Sequence, residues 1–202
     1  MATKNPHKKE RFAHYLEQLG LSVISFADIE NEVEVIEDGK TPEENALKKA
    51  IAGFNAVGIP AFGVDYWFYM EGVPDEIQPG PFVRRIFNKS CTKVEATDEE
   101  MLTYYTGLVD RLGGKTKGLW VSAIALVIDN SAQFTERFER ETLLTSKPSL
   151  KRTEGEPLNS IQIDPSTGKY FTDLSRDEWL KLQEEREMGY IDFFKNHLDL
   201  LK

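Results

Sequence analysis

Acidic and basic side chains alternate closely between residues 33 and 50, and their types suit a site for a metal-bound polyphosphate. Glu37 and Asp38 follow a short β-rich run, and a predicted helix then presents Lys48 and Lys49. Carboxylate oxygens are preferred ligands of Mg²⁺, and phosphate groups require cations. The alternative is an ordinary strand-to-helix turn that leads into a solvated helix, because acidic turns of this kind are common.

A further carboxylate stands inside an apolar segment. Residues 61–70 read Ala-Phe-Gly-Val-Asp-Tyr-Trp-Phe-Tyr-Met, which predicts a strand that carries Asp65. A carboxylate in such a strand costs free energy unless it lies at the strand end, is paired or binds a metal. Asp65 and Glu37 can therefore supply metal ligands, and one of them can act as a base. A strand-end surface acid is the alternative for Asp65.

Helices and strands that could position these groups alternate in the first third of the chain. The periodicity of apolar residues predicts helices at about 6–20, 41–57, 81–88, 98–112, 176–187 and 189–201, and strands at 21–26, 33–36, 61–70, 119–128 and 132–144. The last two strands form a long hairpin. This order indicates an α/β or α+β chain with a mixed sheet.

The composition argues against several classes of protein. The length of 202 residues suggests one domain, and the net charge of −9 argues against general binding to nucleic acid. There is no apolar run long enough to span a membrane, and residues 1–10 lack the apolar region of a secretory signal. The one cysteine, Cys91, excludes a disulfide within the chain and fits a reducing, cytoplasmic location.

Four short motifs stand in order over residues 2–88. They are Thr3-Lys4-Asn5-Pro6-His7-Lys8, then Glu37 with Glu44-Asn45-Ala46-Leu47-Lys48-Lys49-Ala50, then Gly63-Val64-Asp65, and last Pro79-Gly80-Pro81-Phe82 with Arg84 and Arg85 behind it. This order resembles the inosine triphosphate pyrophosphatase family. Its members convert noncanonical purine nucleotides such as ITP and XTP to the monophosphate and pyrophosphate with Mg²⁺.

The resemblance implies an architecture. It is an α/β fold with an elongated mixed central β-sheet flanked by helices. Residues 1–202 would form a single pyrophosphatase-like domain of two lobes, with the substrate cleft between them. Family members are usually dimers, so the resemblance also implies a homodimer. The family's first strand usually precedes the Thr-x-Asn motif, and only Met1 and Ala2 stand there. We therefore expect a truncated first strand or a misassigned start.

The same motifs assign roles to residues position by position. Glu37 and Asp65 would bind Mg²⁺, and Asp65 and Lys49 would act in catalysis. The residues that would bind the substrate are Thr3, Asn5, Lys8, Arg84 and Asp164. The alternatives are solvated helix charge for the two lysines, a structural salt bridge for Arg84, and an Asp-Pro turn for Asp164.

Three departures from the family motifs affect recognition of the base. The segment Val64–Trp67 keeps Asp65 but loses the neighbouring acid and places aromatics where small residues are usual. The Asp164-Pro165 step survives without the two aromatics that sandwich the purine. The Ser-His-Arg reader of the 6-oxo edge is absent from residues 179–186. These departures predict an altered base pocket, in which Tyr66, Trp67, Phe68 and Tyr69 could supply a new stacking surface. Because alternate side chains of a strand face the core, core packing is the alternative for Trp67 or Phe68.

Two functions follow from the sequence. The first is a Mg²⁺-dependent nucleoside triphosphate pyrophosphatase that removes noncanonical purine nucleotides such as ITP and XTP. It would be cytoplasmic, with a nucleotide substrate as partner and neither nucleic acid nor membrane. The second is a catalytically impaired relative that binds a nucleotide or a protein. A third hypothesis is a pyrophosphatase of modified pyrimidine nucleotides.

Overall fold

The computed structural model describes residues 1–29, 33–87 and 94–202. Cys91 lies outside the described residues, and so does Asn88, the predicted end of one helix. No helix in these described ranges combines the length and the apolar character needed to cross a membrane.

Four helices account for most of the helical residues. They are α1 (Pro6–Glu17), α2 (Pro42–Val57), α3 (Asp98–Arg111) and α4 (Arg176–Asn196). Short 3₁₀ turns occur at Phe26–Asp28, Asp75–Ile77, Pro157–Ser160, Phe171–Asp173 and Leu198–Leu200. The starts of α2 and α3 were predictable, because Thr41 and Thr97 each accept a hydrogen bond from the third helical N–H group.

Four strands form one sheet in the order β1-β2-β3-β4. They are β1 (Ala61–Met70), β2 (Lys115–Val127), β3 (Gln133–Thr145) and β4 (Gln162–Ile163). The β3–β4 pair is antiparallel, with Leu143 opposite Ile163. The predicted α/β fold with a sheet and flanking helices is confirmed, and the strands of the described residues are antiparallel rather than mixed.

The chain divides into two compact units. Unit 1 consists of Met1–Tyr66, Ser122–Phe138 and Glu184–Lys202, and unit 2 consists of Trp67–Val121 and Glu139–Gln183. Unit 1 has an aromatic core that includes Phe12, Phe62 and Phe193, and a second cluster of small residues between α2 and β2. Unit 2 has its own core, which includes Phe68, Tyr105 and Ile161.

The two strands predicted before α2 are not formed. Residues 21–25 and 33–36 have no regular secondary structure. Two bonds tie the first of these segments to the start of the chain. The Phe26 N–H group donates to the Thr3 carbonyl, and the N-terminal amino group of Met1 donates to the Ile24 carbonyl, while Ala2 in turn donates to the Phe62 carbonyl. The segment at the start of the chain is therefore too short to form a ladder of β-sheet hydrogen bonds with residues 21–26.

The helix predicted at 81–88 is a series of turns through Phe87. Pro81 has no N–H group to donate, and Gly80 has a positive φ of 53°. The Arg84 carbonyl accepts a bond from the Ala96 N–H group instead of a helical one. These backbone interactions replace the helical pattern.

The two helices predicted near the C-terminus form one helix, α4, that continues through Gly189. A Cβ atom at Gly189 would lie 2.5 Å from a ring carbon of Phe138. Gly189 therefore serves close packing of α4 on β3, and it does not end the helix.

Candidate active site

The position of α2 on β1 is set by a close approach at Gly63. A Cβ atom on Gly63 would lie 2.4 Å from the Ala46 carbonyl oxygen and 2.5 Å from Lys49 Cβ. Only glycine allows the helix backbone this near to the strand. Lys49 in α2 and Asp65 in β1 are thereby placed side by side in unit 1.

Lys49 lies between two carboxylates. Its Nζ atom is 2.6 Å from Asp65 Oδ1 and 2.9 Å from Glu37 Oε2. The Lys49 and Asp65 side chains are only 11% and 8% exposed. Burial alone would lower the pKa of Lys49, but the charges of Asp65 and Glu37 outweigh it and raise this pKa above the ordinary value. Lys49 is therefore a firmly held cation, and Asp65 is a paired buried acid rather than a surface acid.

Asn45 holds the other oxygen of Asp65. The Asn45 side chain is 1% exposed, and its Nδ2 group donates to Asp65 Oδ2 at 3.2 Å. Its Oδ1 atom accepts a bond of 2.8 Å from the Gly39 N–H group. One amide thus fixes both the orientation of the carboxylate and the loop that leads from Glu37 into α2.

The adjacent acids Glu37 and Asp38 have different partners. Asp38 forms an ion pair with Lys48, and their side chains are 71% and 41% exposed. Glu37 turns instead to the buried Lys49. The two neighbouring acids therefore differ in their partners: the exposed Glu37 contacts a buried lysine, and Asp38 contacts a half-exposed one.

The first predicted motif caps α1. Asn5 Oδ1 accepts a bond from the Lys8 N–H group at 3.3 Å, and Thr3 Oγ1 accepts one from the Asn5 N–H group at 3.2 Å. This arrangement leads into a helix N-terminus, where N–H groups and the helix dipole favour anions. Thr3, Asn5 and Lys8 are thus brought together at one end of α1.

Lys8 belongs to the same electrostatic environment as the buried cluster. Burial lowers the pKa of Lys8 to about 8, the charge of Lys49 lowers it as well, and Asp65 and Glu37 oppose this effect. Its Nζ atom lies 5.0 Å from the centre of the Tyr66 ring. Two lysines and two carboxylates of unit 1 therefore interact directly or through their charges.

Arg84 and Asp164 belong to unit 2 and have partners there. Arg84 Nη2 lies 2.9 Å from Asp98 Oδ1. Asp164 accepts hydrogen bonds from the hydroxyl groups of Ser166 and Thr167, each at 2.7 Å. These contacts are the ones expected from the alternative interpretations of the sequence, a structural salt bridge for Arg84 and an Asp-Pro turn for Asp164. The substrate-binding role of both residues stays a prediction.

Glu37 and Asp65 are the side chains that could hold a divalent metal. Their oxygens already converge on one cation, the Lys49 ammonium group. The described residues contain no group of three or more Asp, Glu, His or Cys side chains placed to bind a metal. A donor set of two carboxylates still fits Mg²⁺, which is commonly bound by one or two carboxylates together with substrate phosphates and water.

Asn45 and Arg11 were not predicted as site residues, and Tyr66 was considered only as a stacking surface for the base. Asn45 lies four positions before Lys49 and so shares its helix face, which is a signal that the sequence contains. Arg11 likewise lies three positions after Lys8. Its partner Tyr66 is 55 residues away, and no local spacing connects those two.

Comparisons with known proteins agree with this fold. Over 183 residues the chain is 28% identical to the dITP/XTP pyrophosphatase of Syntrophobacter fumaroxidans, covering 90% of this chain and 74% of that protein. Over 195 residues it is 28% identical to the dITP/XTP pyrophosphatase of Thermoanaerobacter sp., covering 93% and 90%. A structure titled nucleoside-triphosphatase / dITP/XTP pyrophosphatase, from Mycobacterium abscessus, has the same fold with a TM-score of 0.73 at 19% identity, covering 94% and 95%.

The predicted family resemblance is confirmed by these relatives. The profile of the Ham1 family matches residues 1–155, which include all of unit 1 up to Phe138 and the greater part of unit 2. The chain therefore belongs to the Ham1 family.

Proposed function

We propose that this protein is a Mg²⁺-dependent nucleoside triphosphate pyrophosphatase that converts an NTP to the NMP and pyrophosphate. Its role would be the removal of noncanonical purine nucleotides such as ITP and XTP. Ham1 family membership and the relatives named dITP/XTP pyrophosphatase support this proposal. The observation that carries it is the buried Lys49 ammonium group between Asp65 and Glu37, with the charge of Lys8 close enough to act on it.

The phosphate chain would be bound by groups that lie at the start of α1 and on α2. Lys8 and Lys49 supply positive charge, and the N–H groups at the start of α1 suit an anion. Thr3 and Asn5 would add hydrogen bonds. A phosphate beside Lys8 would also stabilise its charged form, which burial now disfavours.

Hydrolysis requires a water molecule to attack phosphorus in line with the bond between the α and β phosphates. Asp65 would accept the proton of this water as the new oxygen–phosphorus bond forms and pyrophosphate leaves. Asn45 holds one oxygen of Asp65 and Lys49 holds the other, so the carboxylate is fixed before substrate arrives. Lys49 would compensate the negative charge that develops on the phosphates.

Glu37 and Asp65 would hold Mg²⁺. When bound, the metal neutralises phosphate charge and polarises the phosphoryl oxygens. Two carboxylates suffice for such a site because the substrate phosphates and water provide the remaining ligands.

The base pocket would differ from that of the relatives. Phe68 is fully buried in the core of unit 2 and Trp67 is 8% exposed, so neither provides an open stacking surface. Tyr66 lies beneath the Lys8 ammonium group. Trp67 and Phe68 therefore give no support to purine stacking, and we propose an altered base preference.

The remaining features are proposals as well. We propose a cytoplasmic homodimer whose partner is a nucleotide and not a nucleic acid or a membrane. The single cysteine and the net charge of −9 support the location and the lack of nucleic-acid binding. A single pyrophosphatase-like domain of two lobes with the substrate cleft between them stays a prediction, as do the roles of Arg84 and Asp164.

Pyrophosphate release from a panel of standard and noncanonical NTPs, with and without Mg²⁺, tests the proposal. We compare Lys49→Met with Lys48→Met, because these neighbours lie on the same helix and differ in their partners. Lys49 pairs with the buried Asp65, whereas Lys48 pairs with the exposed Asp38. We expect Lys49→Met to abolish release and Lys48→Met to retain it.

The same panel distinguishes the alternative functions. If no NTP yields pyrophosphate but a nucleotide raises the melting temperature, the chain is a catalytically impaired nucleotide binder. If nucleotides leave the melting temperature unchanged as well, an interaction role is favoured. A preference for pyrimidine nucleotides would support the third hypothesis.

A further inference from the structure

A polar network within unit 1 connects α1, β1 and α4 behind the candidate phosphate site. Arg11 Nη2 donates to the Tyr66 hydroxyl group. Arg11 Nε lies 3.4 Å from Glu187 Oε1. The guanidinium carbon of Arg11 is also 5.6 Å from the centre of the Tyr66 ring. Arg11 therefore contacts both the hydroxyl group and the ring of Tyr66 while it is paired with an acid of α4.

The acid in this network is deeply buried. The Glu187 side chain is only 3% exposed, and its Oε2 atom has no hydrogen-bond partner among the described residues. Burial raises the pKa of Glu187, although the charges of Arg11 and Arg186 oppose the shift. A half-satisfied buried carboxylate costs stability, and apolar residues pack a helix interface more favourably. Packing of α1 on α4 alone therefore does not explain why a carboxylate is buried at this position.

The opposite end of the network is the phosphate site. The Lys8 ammonium group lies 5.0 Å from the centre of the Tyr66 ring, close enough for a cation–π attraction. Lys8 and Arg11 are three positions apart on α1, so both face Tyr66 from one side of the helix. Tyr66 is thus held at its hydroxyl group by Arg11 and presents its ring to Lys8.

We propose that Tyr66, fixed by Arg11 and Glu187, is a positioning residue that holds the Lys8 ammonium group for the terminal phosphates of the substrate. This inference rests on the proposed function, because it assumes that Lys8 binds phosphate. Glu187 orients Arg11, Arg11 fixes the hydroxyl group of Tyr66, and the ring restricts where the flexible Lys8 side chain can lie. A preorganised ammonium group loses less conformational entropy when an anion binds.

The contacts that run from Glu187 through Arg11 and Tyr66 to Lys8 form a relay. Because this relay acts on substrate binding, its removal is expected to raise KM for the NTP and to leave kcat unchanged. The probe for binding alone is inorganic tripolyphosphate in Mg²⁺ buffer, titrated calorimetrically. Tyr66→Leu removes the ring and is expected to weaken tripolyphosphate binding by roughly three- to tenfold, the range of one partly desolvated cation–π contact. Tyr66→Phe keeps the ring but loses the Arg11 bond, and we expect a smaller loss of affinity.

A double-mutant cycle separates a positioning role from a structural one. If Tyr66 acts through Lys8, Tyr66→Leu has no further effect on affinity in a Lys8→Met background. Arg140→Met is the matched control, because Arg140 lies over the Phe171 ring in unit 2 at 5.5 Å and is no part of the relay. It is expected to leave tripolyphosphate affinity unchanged. Circular dichroism and melting temperature identify any variant that does not fold, and Tyr66→Phe then carries the cycle.

Three results overturn the inference. Unchanged affinity in Tyr66→Leu shows that the ring does not position Lys8. An equal loss of affinity with and without Lys8 shows that Tyr66 is only structural. In both cases the proposed function survives if Lys8→Met binds tripolyphosphate more weakly than the parent protein does. Unchanged affinity in Lys8→Met itself removes the phosphate role of Lys8, and this result contradicts the proposed site as well as the relay.

Discussion

The Lys49 ammonium group lies 2.6 Å from Asp65 Oδ1, and this ion pair joins α2 to β1 at their point of closest approach. The pair combines the two kinds of charge that phosphate hydrolysis requires, a cation for the phosphate and a carboxylate for the water. Both side chains are nearly buried, so their mutual attraction is screened less than that of a surface pair. The surrounding contacts that hold the pair can be tested one by one.

Asn45 should be the most sensitive of these supporting contacts. Asn45→Ala removes the donor to Asp65 Oδ2 and the acceptor for the Gly39 N–H group. Because these partners are left unsatisfied near a buried carboxylate, we expect a loss of about 1–3 kcal/mol in the free energy of unfolding, measured by urea denaturation. Pyrophosphatase activity should fall further than stability alone explains, since Asp65 loses its fixed orientation.

Asn55→Ala provides the control for this variant. Asn55 lies on the same helix but is exposed. Its replacement should change stability by no more than about 0.5 kcal/mol, as is usual for surface positions. Equal stabilities for the two variants would show that the buried amide of Asn45 contributes nothing specific.

Gly63 tests the close approach of helix and strand. A methyl group at Gly63 would overlap the Ala46 carbonyl oxygen and Lys49 Cβ. Gly63→Ala must therefore push α2 away from β1, and we expect it to destabilise the protein by about 1–3 kcal/mol. The displacement separates Lys49 from Asp65, so activity should be lost at temperatures where the variant is still folded.

Gly107→Ala is the matched control for Gly63→Ala. Gly107 lies inside α3, and a Cβ atom there has nothing within 4 Å. Alanine should stabilise the helix by about 0.5–1 kcal/mol, because glycine loses more backbone entropy on folding. If Gly63→Ala is as well tolerated as Gly107→Ala in thermal unfolding, the close approach does not fix the site.

The sequence predicted Lys49 and Asp65 as members of one site, but neither their ion pair nor the groups that hold it. Lys49 and Asp65 stand in a helix and a strand with strong apolar periodicity, and β1 was predicted with its observed bounds of Ala61–Met70. Glu37 was predicted as a metal ligand from its place ahead of α2 and from its register with the α2 motif. The choice between Glu37 and Asp38 as the partner of Lys49 depends on loop geometry, which local patterns do not encode.

Long-range contacts account for the remaining differences between prediction and structure. Residues 21–26 have the composition of a strand, but strand formation depends on a neighbour, and the segment beside them provides few bonds. The contact between Arg11 and Tyr66 spans 55 residues. Gly189 was predicted as the start of a second helix, yet its role is set by Phe138 on β3. In each case the deciding partner is remote in sequence.

Arg84 can be tested for the two roles that were considered from the sequence. In unit 2 it pairs with Asp98 at 2.9 Å and donates to the Gly155 carbonyl. Arg84→Met should lower the free energy of unfolding by about 1 kcal/mol, the upper end for a partly exposed pair. Arg85, whose guanidinium carbon lies 4.8 Å from the centre of the Phe82 ring, provides the control Arg85→Met. A raised KM with unchanged stability would instead support the predicted substrate contact of Arg84.

Glu187 should give stability a distinct pH dependence. Burial raises its pKa above the ordinary value of 4.5, although the charges of Arg11 and Arg186 oppose the shift. Because the folded protein then binds this proton more tightly than the unfolded chain does, the contribution of Glu187 to stability is largest at low pH. It falls as pH rises from 4.5 through the raised pKa.

Glu187→Gln cannot titrate, so its stability relative to the parent protein should improve as pH rises through this window. The measurement is the difference in free energy of unfolding between parent and variant, taken from urea denaturation at a series of pH values. Taking the difference cancels carboxylates with the opposite behaviour, such as Asp28 and Glu178, whose pKa values are lowered to about 2 by hydrogen bonds from Lys9 and Lys169, respectively. A difference that stays constant with pH, or moves the other way, would mean that Arg11 neutralises Glu187 fully and that burial does not govern its ionisation.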